Sequence, residues 1–145
     1  MSQSGVADVG RVTIEFDLAN YDDVRAAQKG EMDPTQVRRV RLSGIVDTGA
    51  ARLVLPEAVV DQLGLPTAGE ITVRYADQRT AKRRQVRDAW IEYAGRGGVF
   101  SAVVEPKRTD ALVGAIVLEE LDLIVDCTRQ TLIPRDPNTI ISEIE

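Results

Sequence analysis

A single, mostly β domain carrying one or two short helices is the fold class this sequence predicts, and three observations predict it. The apolar runs are short and bounded by glycine, proline or polar clusters, as strands are. The 145 residues are 43% hydrophobic and 28% charged, enough for one real core and too apolar for disorder. No internal repeat, low-complexity tract or long linker divides the chain, so residues 1–145 read as one domain.

The first strand is RVTIEFDL, Arg11 to Leu18, whose partial alternation sets Val12, Ile14 and Phe16 on one side. The polar stretch from Asn20 to Gln36, with Asp22, Asp23, Gly30 and Pro34, predicts a loop holding one short helix through DDVRAAQ. VRRVRLSGIVD, Val37 to Asp47, is a second strand that becomes wholly apolar at Ile45 and Val46 and so enters the core. In PEAVVDQL, Pro56 suits the first helical position and Gly64 lies just past the end, which predicts a two-turn helix.

EITVRYADQRT and QVRDAWIEYAG are the two arms of a hairpin around a polar tip, Ala76 to Arg79. The glycines of GRGG, Gly95 to Gly98, lack the spacing of a dinucleotide fingerprint and predict a second hairpin turn. GVFSAVVEP, Gly98 to Pro106, supplies another strand. ALVGAIVLEELDL gives a small apolar run, a glycine and a short helix whose Glu119 and Glu120 face solvent, and LIVDC with TLIP ends the sheet. Trp90 reads as a core or interface filler.

Composition excludes several functions. A formal charge of −5 and a pI near 4.9 argue against broad affinity for nucleic acid or an anionic membrane surface. With no histidine, the chain cannot build a Ser/His/Asp or Cys/His arrangement, nor a zinc site of the usual nitrogen and sulfur ligands. It also lacks a Gly-x4-Gly-Lys-Ser/Thr phosphate cradle. MSQSGVADVG shows neither a basic start nor an apolar signal run, no segment could span a bilayer, and Cys127 has no partner in the chain. A soluble, reducing, cytoplasmic setting is expected, with Cys127 a buried, inert thiol inside the apolar run LDLIVDC.

The stretch GIVDTGAARLVLP, residues 44 to 56, places an acid after two core residues. Simple burial of Asp47 would carry a heavy desolvation penalty, so the site must supply hydrogen bonds, a partner charge or water. Gly49 permits a sharp turn, including one with positive φ, that brings backbone amides to the carboxylate, and Thr48 adds a hydroxyl. Two readings stand at this point: Asp47 caps its own turn, or it is a working acid.

The order Ile45-Val46-Asp47-Thr48-Gly49-Ala50, an apolar strand, then LPEAVVDQLGL resembles the active-site segment of retropepsin-like aspartic proteases. Downstream, Leu112, Val113 and Gly114 resemble the apolar-apolar-Gly element that packs beside the catalytic loop in that family, and the likeness to short prokaryotic single-lobe members covers about residues 10–136. The resemblance implies a closed, β-barrel-like acid protease fold of a single lobe with a flap hairpin. It implies an aspartic endopeptidase in which Asp47, Thr48 and Gly49 are catalytic and Ala50, Leu112, Val113 and Gly114 support the loop. One Asp-Thr-Gly per chain implies a symmetric homodimer acting on a peptide or protein, with no metal or cofactor.

The flap would be Ala76, Asp77, Gln78 and Arg79, where Gln78 stands in place of a common glycine. Val54, Ala76, Asp77 and Val113 are expected by position to line the substrate pocket. RTAKRRQVR reads as a solvated basic edge strand or as a recognition element for acidic partners. Ile140, Ile141 and Ile144 near the C-terminus suit either a dimer seam or packing. The competing function is a noncatalytic dimerisation or peptide-binding module that retains the fold. A carboxylate-lined metal site finds no clustered acids near Asp47 in the sequence.

Overall fold

Buried and exposed residues alternate along β1 (Val12–Asn20), and Val12, Ile14 and Phe16 turn inward as expected. This computed structural model describes residues 11–145; the expectations that rest on residues 1–10, the missing leader and the start of the domain, lie outside the described residues. β1 runs antiparallel to β2 (Arg39–Val46), from Val12 opposite Val46 to Ala19 opposite Arg39. Between them stands α1 (Tyr21–Gln28), followed by a 3-10 turn at Pro34–Gln36.

Asn20 joins strand to helix: its Oδ1 accepts the Asp23 N–H at 3.1 Å, and its Nδ2 donates to the Leu63 carbonyl at 2.9 Å. Both ends of this buried amide are therefore satisfied. Asp23, also buried, takes the Arg38 guanidinium on both oxygens at 2.8 and 3.0 Å.

The next elements are β3 (Leu53–Pro56), α2 (Glu57–Leu63), β4 (Thr67–Arg74), β5 (Thr80–Tyr93), β6 (Arg96–Glu105), β7 (Ala111–Val113) and α3 (Ala115–Leu121). Six strands close into a barrel in the order β1-β2-β7-β3-β6-β5, with β5 returning to β1. β5 is long enough to serve twice. Its first half pairs with β4 outside the barrel, with Gln85 and Val86 also opposite Val103 and Ala102 of β6, and its second half pairs with β1 and continues along β6 to close the barrel. Between Val86 and Ala89 the register slips, with Asp88 at a φ of 63°, and this bulge turns the strand from one task to the other.

Leu18, Leu53, Leu55, Ile91 and Leu121 fill the barrel, each contributing on the order of 1.5–3 kcal/mol of transfer free energy. Val60 and Leu63 of α2, with Val117, Leu118 and Leu121 of α3, add to that core. Gly64 ends α2 in the left-handed region, φ 63°, as its position in the sequence implies.

Several expectations are corrected. Ile45 and Val46 are only half-buried, although Val46 still packs against the core. Pro56 closes β3 and is the cap before α2, one residue earlier than the first helical position. Ala94 and Gly95 make the tight turn between β5 and β6, both with positive φ, while Gly97 and Gly98 belong to β6. Gly97 is needed for space: a Cβ there would lie 2.4 Å from the Trp90 ring. Trp90 itself is half-buried and stacks on Tyr21, ring centres 5.3 Å apart.

LIVDC and TLIP do not finish the main sheet. They form a separate antiparallel pair, β8 (Leu123–Asp126) and β9 (Thr131–Pro134). Cys127 lies in the turn between them and is exposed, because the buried pattern stops once Asp126 accepts the N–H groups of Thr128 and Arg129 to shape that turn. Among the described residues no helix is long and apolar enough to cross a membrane.

Candidate active site

Asp47 follows the last residue of β2, and its N–H donates to the Val113 carbonyl at 3.0 Å, continuing the parallel β2–β7 ladder by one bond. Its Oδ1 accepts the Gly49 N–H at 2.9 Å, and its carbonyl accepts the Ala50 N–H at 3.1 Å. The turn-capping reading therefore holds. It uses only half of the carboxylate: Oδ2 makes no hydrogen bond to the described residues. Asp47 is half-buried, and Thr48 and Gly49 are exposed beside it. Gly49 does not take positive φ; its value is space, since a Cβ there would stand 3.3 Å from Asp47 Oδ1.

The loop from Asp47 to Arg52 is stitched to the start of α3. Ala115 N–H donates to the Ala50 carbonyl at 2.8 Å and Ile116 N–H to the Ala51 carbonyl at 3.0 Å. β7 carries Leu112 between Ile45 of β2 and Val54 of β3, which sets Gly114 directly against the loop. The fold thus gathers Asp47, Thr48, Gly49, Ala50, Leu112, Val113 and Gly114 at one place.

The hairpin tip is tightly turned. Tyr75 N–H reaches the Arg79 carbonyl at 2.8 Å, Gln78 N–H reaches the Tyr75 carbonyl at 2.9 Å, and Gln78 adopts φ 74° without being glycine. Asp77 accepts the Arg79 side chain at 2.7 Å and its N–H at 3.0 Å, which holds the Asp77 carboxyl below its usual range. Arg79 lies 5.0 Å over the Tyr75 ring.

A groove of about 770 Å³ runs between this hairpin and the Asp47 loop. Val54, Val103 and Leu112 line it with apolar surface from the barrel, Gly49 to Arg52 contribute from the loop, and Ile71, Val73, Tyr75 and Arg79 from the hairpin. Asp47 does not itself line the groove, although the loop it opens does. Of the residues expected to line it, Val54 does so. Val113 does not: successive strand residues face opposite ways, so Leu112 meets the groove while Val113, 2% exposed, fills the core. Ala76, Asp77 and Gln78 stand outside the lining, at the exposed tip.

Sequence reasoning missed the base of the hairpin. Tyr75 Oη donates to Glu105 Oε2 at 2.6 Å and Arg83 Nε donates to Glu105 Oε1 at 2.8 Å, so one carboxylate ties β5, the end of β4 and the end of β6 together. Hydrogen bonding to Glu105 pushes the Tyr75 hydroxyl pKa up. The alternation Ile71-Thr72-Val73 was the available signal that this arm has a groove face.

The basic arm is not the edge of the sheet, since β4 covers it. Four of its five cations are ion-paired: Arg79 with Asp77, Arg83 with Glu105, Arg84 with Asp61 at 3.2 Å, and Arg87 with Asp88 at 3.9 Å. Among the described residues no group of three or more acidic, cysteine or histidine side chains is placed to hold a metal ion.

A family model described as "Aspartyl protease" matches residues 33–117, a span that contains the Asp47 loop, the hairpin and Gly114. No curated protein matches the sequence.

Proposed function

Since the chain belongs to the aspartyl protease family, on the retropepsin-like side, we propose that it is an endopeptidase whose active site forms between two copies of Asp47 in a symmetric homodimer. The observation that carries this reading is the half-used carboxylate: Asp47 Oδ1 is fixed by Gly49 while Oδ2 is open, on a loop held rigid by α3 and bordering a groove.

Two such carboxylates brought together cannot both ionise cheaply, so they share one proton. The ionised Asp47 takes a proton from a water held between the pair as that water attacks the peptide carbonyl. The protonated Asp47 hydrogen-bonds the carbonyl oxygen as negative charge develops there, and a proton then passes to the leaving nitrogen as the C–N bond breaks. No metal, cofactor or covalent intermediate enters this mechanism. Thr48 bonds across the two-fold axis to the opposite subunit's catalytic loop, a role that its exposure on the loop supports. Ala50 offers no hydroxyl to favour ionisation of Asp47, so activity is expected at mildly acidic to near-neutral pH, consistent with a cytoplasmic setting. The β4–β5 hairpin acts as the flap that closes over the peptide.

A noncatalytic peptide-binding dimer is the second reading. The tip favours it, because Asp77, Arg79 and Tyr75 hold one another and restrain the movement a flap needs. Cleavage of a diverse peptide library by the purified protein and by its Asp47→Asn variant, with both shown to be dimers by sedimentation, decides between them. Cleavage lost in the variant supports the endopeptidase; none by a folded dimer supports the binding module.

A further inference from the structure

Six cations line the groove, Arg52, Arg74, Arg79, Arg83, Lys107 and Arg108, against one acid, Glu105, in a chain whose net charge is −5. Three of the six are neutralised: Arg79 by Asp77, Arg83 by Glu105 at 2.8 Å, and Arg108 by Asp110 at 2.9 Å. Arg52, Arg74 and Lys107 form no ion pair with the described residues and are exposed. They come from three different elements: the Asp47 loop, the end of β4 and the turn after β6. Unpaired positive charge is thus collected at one concavity of an acidic protein.

Resting on the endopeptidase reading, we propose that the groove selects peptides carrying aspartate or glutamate, whose carboxylates pair with Arg52, Arg74 and Lys107. The apolar lining from Val54, Val103 and Leu112 excludes water beneath the peptide and strengthens those pairs relative to fully solvated ones. Guanidinium groups add two-pronged hydrogen bonding to a carboxylate. A long polyanion fits less well, because beyond the groove it meets a surface of net negative charge.

The test uses two fluorescent octapeptide libraries that differ only at two fixed positions, Asp/Glu in one and Asn/Gln in the other. Binding is read by anisotropy on the Asp47→Asn protein, which keeps the groove without turnover, and cleavage is read on the unmodified protein. The acidic library should bind at least about tenfold more tightly, as expected for charge-assisted hydrogen bonds. The difference should shrink as salt rises. It should also vanish in an Arg52→Gln/Arg74→Gln/Lys107→Gln variant, whose exposed positions spare the core, while the salt series on the protein without these three changes gives an answer independent of its folding. Equal binding of the two libraries, binding of neither, or tighter binding of a single-stranded oligonucleotide overturns the inference. Acidic preference in binding with no cleavage of any peptide leaves the inference standing and removes the endopeptidase. Cleavage of both libraries at equal rates with equal binding does the opposite.

Discussion

Gly114 lies so close to the Arg52 carbonyl oxygen that a Cβ at this position would stand 2.4 Å from it and 2.7 Å from the Ala50 carbonyl oxygen. The φ of −89° is open to any residue, so contact alone demands glycine. Backbone held by the Ala50–Ala115 and Ala51–Ile116 hydrogen bonds cannot move aside without shifting the Asp47 loop. Gly114→Ala is expected to destabilise the fold by about 1–3 kcal/mol or more and to abolish any Asp47-dependent cleavage. Gly44→Ala meets side-chain carbons of Phe16 and Val113 at 2.8 and 2.9 Å, which can adjust slightly, so its loss should be smaller. Urea denaturation of both variants checks the order; equal losses would show that backbone contact is not the cause.

Acid should unfold the protein through two buried carboxylates, Asp122 and Asp23, each paired with a half-exposed arginine. Arg135 Nε donates to Asp122 Oδ1 at 2.8 Å and the Ile141 N–H to Oδ2 at 3.0 Å, and Arg38 binds Asp23 on both oxygens. The hydrogen bonds from Arg135 and from Arg38, respectively, are the largest causes holding these carboxyls below their usual range. A depressed folded pKa gives stability that is fully present above the unfolded aspartate value, about 3.9, and is lost as pH falls through the lower folded value. Melting temperature should therefore drop steeply below about pH 4, and Asp122→Asn or Asp23→Asn should lower it at neutral pH while flattening that acid limb. An unaltered acid limb in both variants would assign it to other carboxylates.

Much of this architecture was legible because local chemistry and tertiary need agree. Period-two burial along β1, Gly64 closing α2 in the left-handed region, and the polar tip between β4 and β5 each carry their signal within a few residues. The juxtaposition of Asp47 with Gly114 was legible only through resemblance, since nothing local ties residues so far apart. The groove was the part sequence could not place. Alternation says that Leu112 and Val113 face opposite ways but not which one faces the core, and only the sheet order shows that β4, not the basic arm, is the edge. Cys127 was misplaced because an apolar run predicts burial only until a turn begins.

Glu105 is expected to act as a positioning residue for the hairpin. It holds Tyr75 and Arg83 from two strands at once, so Glu105→Gln keeps an acceptor but loses the charge. On a cleaved peptide the Michaelis constant should rise by up to about tenfold while kcat changes less, because loosening the hairpin proposed as the flap weakens substrate capture before it touches the reacting atoms. Ultraviolet titration supplies a separate readout: the raised Tyr75 hydroxyl pKa should move back toward its ordinary value in Glu105→Gln, and the shifted signal should be missing in Tyr75→Phe. An unchanged tyrosine titration would mean that the pair does not persist in solution.

Arg96 fixes the C-terminal segment. One of its terminal nitrogens donates to the Leu121 and Asp122 carbonyls, each at 2.9 Å, and the other to the Thr139 carbonyl at 2.8 Å and to the Asp136 carbonyl. Asp122 and Arg135 hold Ile141 from the other side, through its N–H and its carbonyl at 2.9 Å. Yet Ile140, Ile141 and Ile144 remain 42%, 44% and 90% exposed and form no strand. Ile140 and Ile141 are thus partly covered by their own chain and Ile144 is almost wholly outside it, and a pinned segment with outward isoleucines suits a partner surface. If the proposed homodimer closes there, Ile141→Asp/Ile144→Asp should weaken dimerisation by at least about a hundredfold, given about 1.5–3 kcal/mol for each buried side chain. Arg96→Ala should weaken it as well, by freeing the segment to move. Sedimentation of the variants across a dilution series reads this directly, and cleavage should fall in parallel with the dimer fraction. Dimers of unchanged affinity in the double isoleucine variant would place the seam elsewhere on the barrel.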